Sequence, residues 1–339
     1  MRPRLLTFVA LASATSLIGI QLTRASATAQ VAAGKDPPSD STPPMIASPG
    51  PTDVVMHNVD FRQAPGIVLG IRAIEGRMHS VKHGVVDFDD KMSYILTVDT
   101  GHVVLSADVL TTLMNNYVFA YRGAPLKHLQ VMTRGTSLGL RGTLHKGVDI
   151  PFDMTSAVSL TPDEKMRLHP TKMKIFGVDG LILMRALGLS LQKMVDLSGA
   201  KGVVAQGNDL ILSPLVLLPP PVIQGHIVAV RVGPGGLEQD FGKSKYVVRG
   251  GPLPDSTARN YMLYRGGTLH FGKLYMTDAE LLVVDLDTHD PFDFDNDRYQ
   301  KQLVAGHSRT LPSLGLEVYM PDADKVGAAG AVASKSSPR

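Results

Sequence analysis

Apolar and polar positions alternate with a period of two through much of the chain, which predicts a body built mainly of half-buried strands. Ile67, Leu69, Ile71 and Ala73 set the first strand. Met92 to Val98 predicts a second, ending in a turn at Asp99-Thr100-Gly101. From Thr136 to His145 the alternation is clean: Leu138, Leu140, Gly142 and Leu144 share one face, and Gly139, Arg141, Thr143 and His145 the other. Further strands are predicted over 148–160, 203–206, 210–218, 223–232 and, as one long late strand, 274–286. Two stretches carry helical spacing instead. Ser106 offers an N-cap with Asp108 in the first turn, and Leu110, Leu113, Met114 and Tyr117 then fall at i, i+3, i+4 and i+7. Thr111, Thr112, Asn115 and Asn116 cover the opposite side. A second helix is predicted over 181–195, with Leu183, Met184, Leu187, Leu191 and Met194 on its apolar face and Gly188 as a place to bend or break.

Isolated amphipathic helices among strands predict an α+β fold: a strongly curved antiparallel sheet wrapped around one or two helices, with a β-rich C-terminal extension. Glycines within strand patterns, such as Gly139 and Gly142, suit a sheet that bends. The ends read differently. Arg2 and Arg4, the apolar run Leu5–Leu22 and Ala27-Thr28-Ala29 predict a signal peptide over 1–29, cut after Ala29, and hence a periplasmic or secreted protein; an uncleaved membrane anchor is the alternative. Residues 30–51, rich in Pro, Ser, Ala and Gly, predict a disordered linker, and 326–339 a disordered tail. The body divides into 52–246 and a β-rich region over 247–325.

Charge and composition narrow the function. The formal +3 comes from Arg2, Arg4 and Arg24, and without them 31 basic residues face 31 acidic ones. A nucleic-acid binder needs a concentrated basic face, and nothing of that kind is present. No cysteine occurs, which excludes disulfides, thiolate catalysis and Cys-ligated metal. No P-loop, dinucleotide fingerprint or H-E-x-x-H pair occurs either. Asp293-Phe294-Asp295-Asn296-Asp297 copies the start of a calcium loop, then breaks at Arg298 and Val304; the acidic run from Asp285 to Asp297 therefore reads as a solvated loop. His79 and His83, with His57 and His102, read as surface or turn residues. Arg134, Arg141 and Lys146 read as the solvated face of a sheet, with an anionic head group as the alternative partner. No catalytic residue, cofactor or metal is expected.

A series of segments from Val104 to Phe241 adds a resemblance. It runs through Leu-Thr-Thr-Leu-Met-Asn-Asn-Tyr-Val-Phe (110–119), Leu-Gly-Leu-Arg-Gly (138–142) and Lys-Gly-Val-Asp-Ile-Pro (146–151). It continues with Gly-Leu-Ser-Leu (188–191), Gly-Asn-Asp-Leu-Ile-Leu (207–212) and Leu-Pro-Pro-Pro-Val-Ile-Gln-Gly (218–225). This order resembles the LmeA-like and YceB-like bacterial envelope proteins, described as phospholipid-binding and of the tubular lipid-binding kind. The chain departs from that pattern in lacking a lipoprotein Cys, and 247–324 lies outside the match. The resemblance implies a non-enzymatic protein that holds phospholipid or another acyl lipid in an apolar groove, touching a membrane transiently. The groove is then expected along Leu110, Leu113, Met114, Tyr117, Leu138, Leu140, Leu183, Met184, Leu187 and Leu191. An envelope scaffold binding another protein, and a hydrolase using the acidic 285–297 loop, are the competing expectations.

Overall fold

The computed structural model describes residues 50–246, 248 and 251–326. The predicted signal peptide, all but the first residue of the predicted tail and nearly all of the predicted linker lie outside the described residues. Strand makes up 51% of the structure and helix 14%, with a curled antiparallel half-barrel sheet, so the fold is predominantly β and the α+β expectation is corrected.

The large sheet grows from three long antiparallel strands, Thr52–Ala64, Ile67–Ser80 and Tyr94–Leu105. The third runs straight through Asp99-Thr100-Gly101, where the sequence suggested a turn. Glu75 faces Thr100 and Gly76 faces Val98, so Asp99 is the extra residue of a bulge. Gly101 is there because a Cβ would come within 2.6 Å of Ile74 Cγ2 and 2.8 Å of the Ala73 carbonyl oxygen. Strands Tyr261–Arg265, Glu280–Asp285, Leu316–Met320 and His307–Thr310 continue the same sheet beyond Thr52–Ala64, so residues 261–320 build onto the body. The predicted strand over 274–286 is two: Leu274–Thr277 joins a three-stranded sheet with Thr268–Phe271 and Val86–Asp87, and the chain turns at Asp278 before Glu280–Asp285.

Between Leu105 and Val222 the chain leaves the large sheet to build a second one, then returns to pair in parallel with the strand it left (Val222 with Ile95). This second sheet is wholly antiparallel. Its central strands are Ser137–Lys146, Val148–Leu160 and Met166–Ile175, flanked by Leu126–Arg134 on one side and by Asp209–Leu212 and Val203–Gln206 on the other. One continuous core takes in Val54, Leu237 and Phe292 of the large sheet and Leu138, Met154 and Leu210 of the second.

The first predicted helix forms over Ala107–Leu113, with the Ser106 hydroxyl accepting from the Val109 amide at 3.2 Å. It then widens into a π-helical turn, Met114–Val118. The extra residue per turn brings Val118 into the core and leaves Tyr117 half-buried. Its polar side is not left to solvent. Asn115 donates to the Leu129 carbonyl (2.7 Å) and accepts the Leu129 amide (2.9 Å), and Thr111 accepts the Val131 amide (2.9 Å). The helix thus caps the outer edge of Leu126–Arg134, a row of backbone groups that would otherwise invite pairing with another chain. The sheet does not wrap around it. The second predicted helix is broken: Gly180–Ala186 and Leu191–Met194 are separated by Gly188 at φ +62°, and the Leu189 amide reaches back to Met184 O at 2.8 Å.

Candidate functional site: an apolar trough on the second sheet

The alternation read from the sequence places Leu138, Leu140, Gly142 and Leu144 on one face, and register extends that face across the sheet. Leu144 lies opposite Ile150, Gly142 opposite Phe152 and Leu140 opposite Met154; Phe152 then lies opposite Ile175. Gly142 has no side chain because Leu129 occupies the space, where a Cβ would stand 2.5 Å from Leu129 Cδ2. A bulge at Thr171 (Thr155 opposite Lys172, Ser156 opposite Pro170) lets both Leu168 and Met173 face inward.

The face and its covering elements enclose an apolar trough made of two adjacent hollows that share wall residues. One is walled by Leu144, Ile150, Phe152, Met173, Ile175, Leu191 and Met194. The other is walled by Leu110, Met114, Phe119, Leu138, Met166, Leu168 and Val203. Leu126, Leu140, Met154 and Leu210 wall both, forming the waist. From Leu138 to Leu144 the floor spans about 20 Å at the usual strand rise. The halves hold about 520 and 610 Å³ of open space counted with their solvent-facing sides, but the cavity proper is about 50 Å³ in each. That is room for about three to five waters, so the walls stand close together. Five of the wall residues are methionines, Met114, Met154, Met166, Met173 and Met194, whose unbranched side chains repack at little cost. Among the described residues, Ser156 is the lone hydroxyl in the lining, and its buried Oγ has no hydrogen-bond partner there.

Of the expected groove residues, Leu110, Met114, Leu138, Leu140 and Leu191 line the trough. Leu113 and Met184 are closely packed core, and Tyr117 packs half-buried against it. Leu183 and Leu187 point to solvent because the helix meant to bury them breaks at Gly188. The walls missing from the sequence reading, Leu126, Met154, Met166, Leu168 and Leu210 among them, sit on strands whose inward faces meet only through the curl of the sheet.

A second apolar cavity of about 40 Å³ lies over the large sheet, walled by Phe61, Leu69, Ile71, Leu96, Leu105 and Phe241 and closed by Leu215, Leu218 and Pro221. Its walls belong to the same continuous core as those of the trough. The trough has the stronger claim, since it runs the length of one sheet face beside an exposed apolar end.

Charged clusters are otherwise engaged. Arg134 and Arg141 both bind Asp153 at 2.7 Å and are not free for a head group; the Arg134 hydrogen bond, helped by Arg141, holds that carboxyl down at about 2. The acidic run is not a solvated loop: Phe292–Asp295 is a strand parallel to Thr52–Ala64, Asp293 pairs with Arg62, and Asp295 accepts the amides of Asp297 and Arg298. Asp287, Asp290 and Asp322 bring carboxylate oxygens within 4.8 Å of one another, with Lys325 Nζ at 2.8 Å from both Asp287 and Asp322. Asp87, Asp89 and His270 form a similar group, in which His270 bonds Asp87 and Tyr299 bonds Asp89. Gly135-Thr136-Ser137-Leu138-Gly139 spells G-x-S-x-G, but it lies at the hairpin joining Leu126–Arg134 to Ser137–Lys146, not on the strand-to-helix elbow that exposes a nucleophile.

One buried carboxyl gives a pH dependence. Burial pushes Asp285 up to about 6, against hydrogen bonds from Asn260 Nδ2 (3.0 Å) and the Asp287 amide (2.9 Å). The unfolded chain protonates this group only near 4. Its contribution to stability is therefore complete below about 4 and is lost as pH rises through 6, an amount on the order of 3 kcal/mol. Urea unfolding at pH 4.5 and 7.5 is expected to favour the native chain over Asp285→Asn progressively as pH falls; a difference that stays constant contradicts this.

In comparisons with family models, with curated proteins and with solved structures, nothing matches this chain. Among the described residues, no helix is long and apolar enough to cross a membrane.

Proposed function

We propose that the chain is an extracytoplasmic lipid-binding protein, which holds a phospholipid tail or other acyl chain in the trough for transfer or for lipid homeostasis in the envelope. The observation that carries this reading is the continuous apolar floor, about as long as one leaflet of a bilayer is thick (~15 Å) or slightly longer. All of its walls lie between residues 110 and 212, inside the segment that resembles the phospholipid-binding envelope proteins. Binding is reversible and non-covalent, and the reading calls for no cofactor and no catalysis. A tail of ~16 carbons gains roughly 12 kcal/mol on leaving water, and a bilayer offers the same. A carrier needs only to match the membrane, and a narrow, methionine-rich slot that opens around its guest meets that requirement. The unpartnered Ser156 hydroxyl gives an ester or carboxyl oxygen one donor inside the slot. The leader read from the sequence supplies the compartment.

The protein purified from a host with ordinary membranes, then extracted with organic solvent, is expected to release phospholipid or fatty acid in near-stoichiometric amount by mass spectrometry. If no lipid is released and added phospholipid does not bind, the reading is wrong.

A further inference from the structure

The end of the second sheet beside the Leu144–Ile175 half of the trough carries large apolar side chains that none of the described residues covers. Val148 is 64% exposed, Phe176 65%, Val178 56%, Ile182 63% and Leu187 62%. Their placement follows from register. The Lys146–Val148 pair closes one hairpin and the Ile175–Val178 pair the next, and the Phe176 amide bonds Pro151 O, so both turns lie at one end. Gly180–Ala186 leaves directly from the second hairpin, packed through Gly180 against Ile175 and Met173. Leu144, Ile150, Phe152 and Ile175, directly behind these turns, are trough walls.

The surrounding charge is basic. Lys127, Lys146, Lys174, Arg185 and Lys193 are all exposed around this end. The acidic groups beside them are engaged: Asp149 with His145 at 2.6 Å, Asp179 as the cap accepting the Ile182 amide at 3.0 Å, and Asp153 with its two arginines. A chain whose residues beyond Arg24 carry equal numbers of acidic and basic groups thus presents one end that is both oily and positive. A partner protein would need an apolar socket ringed by acid, whereas an anionic leaflet offers apolar depth beneath a layer of phosphates over any footprint.

We infer that this end is a membrane-docking surface: Phe176, Val178, Ile182, Leu187 and Val148 enter the head-group boundary of an anionic leaflet, the lysines and Arg185 meet its phosphates, and the trough is brought end-on to the lipid. The inference deepens the lipid-binding reading by naming where the membrane is met. The chain has no tryptophan, so one introduced indole reports a single position. Full-length Phe176→Trp is expected to shift to the blue on vesicles containing phosphatidylglycerol and to be quenched by brominated tails. Leu314→Trp, in the exposed turn between strands His307–Thr310 and Leu316–Met320, is expected to do neither. The Phe176→Trp shift should weaken on pure phosphatidylcholine and at high salt. No shift at Phe176→Trp, equal shifts at both positions, or indifference to lipid charge each overturns the proposal. Binding of a soluble fluorescent fatty acid, read separately, distinguishes the two readings: docking without fatty-acid binding removes the trough function alone, and fatty-acid binding without docking removes the membrane surface alone.

Discussion

Leu140→Trp is expected to lose at least tenfold in affinity for a fluorescent fatty acid while keeping its far-ultraviolet circular dichroism and unfolding cooperatively. Leu140 is one of four residues that wall both halves of the trough, and it lies opposite Met154 across the floor. The cavity there is already narrow, so an indole fills the space a guest chain must thread. Leu140 is only partly buried, which lets the larger side chain find room toward the open side at a cost of about 1–3 kcal/mol, the usual range for overpacking. Leu113→Ile is the matched control. Leu113 is packed core and is not among the trough walls, and its substitution is expected to change stability slightly and fatty-acid affinity not at all. Equal affinity in wild type and Leu140→Trp would mean that the guest lies elsewhere.

The second large effect is on stability. Arg77→Met is expected to cost about 3–5 kcal/mol in urea unfolding, the range for removing one partner of a buried ion pair. Asp99 is the buried extra residue of the bulge in the large sheet. Arg77 grips it with two hydrogen bonds, at 2.6 and 2.9 Å, and Ser244 adds a third at 2.5 Å. The guanidinium also lies 4.0 Å from the centroid of the Tyr246 ring. Methionine keeps the length of the stem but leaves the carboxylate buried with one hydroxyl donor. The double variant Arg77→Met/Asp99→Asn is expected to recover most of the loss, because the charge is then gone. A single-variant loss below 1 kcal/mol would contradict the account of this bulge.

These two sites mark where the sequence was readable and where it was not. Strands 137–146 and 148–160 were legible because one face is buried and the other wet, so alternation reports the fold directly. The Ser106 cap and the first turns of its helix were legible for the same local reason. Asp99-Thr100-Gly101 was misread because its composition matches a turn, while its cause is non-local: Arg77 and Ser244 bury the Asp, and Ile74 leaves no room for a side chain at position 101. Thr111 and Asn115 looked solvated because nothing nearby in sequence says that an edge strand passes beside them. The 181–195 stripe was genuine in spacing, but Gly188 ends the helix, and Leu187 is left at an exposed apolar end instead of in a core. Half of the trough was legible, namely the part carried by the helix and by strand 137–146. The waist was not, since Leu126, Met154 and Leu210 meet only after the sheet curls.

The most direct test of the central claim is a crystal structure of the protein grown with a brominated fatty acid. The account predicts anomalous bromine peaks along the trough, between Leu140 and Met154 and onward toward Ile175, with the methionine side chains moved aside. Bromine over the large sheet beside Phe61 and Leu96, or none within a trough whose walls remain closed, would contradict it.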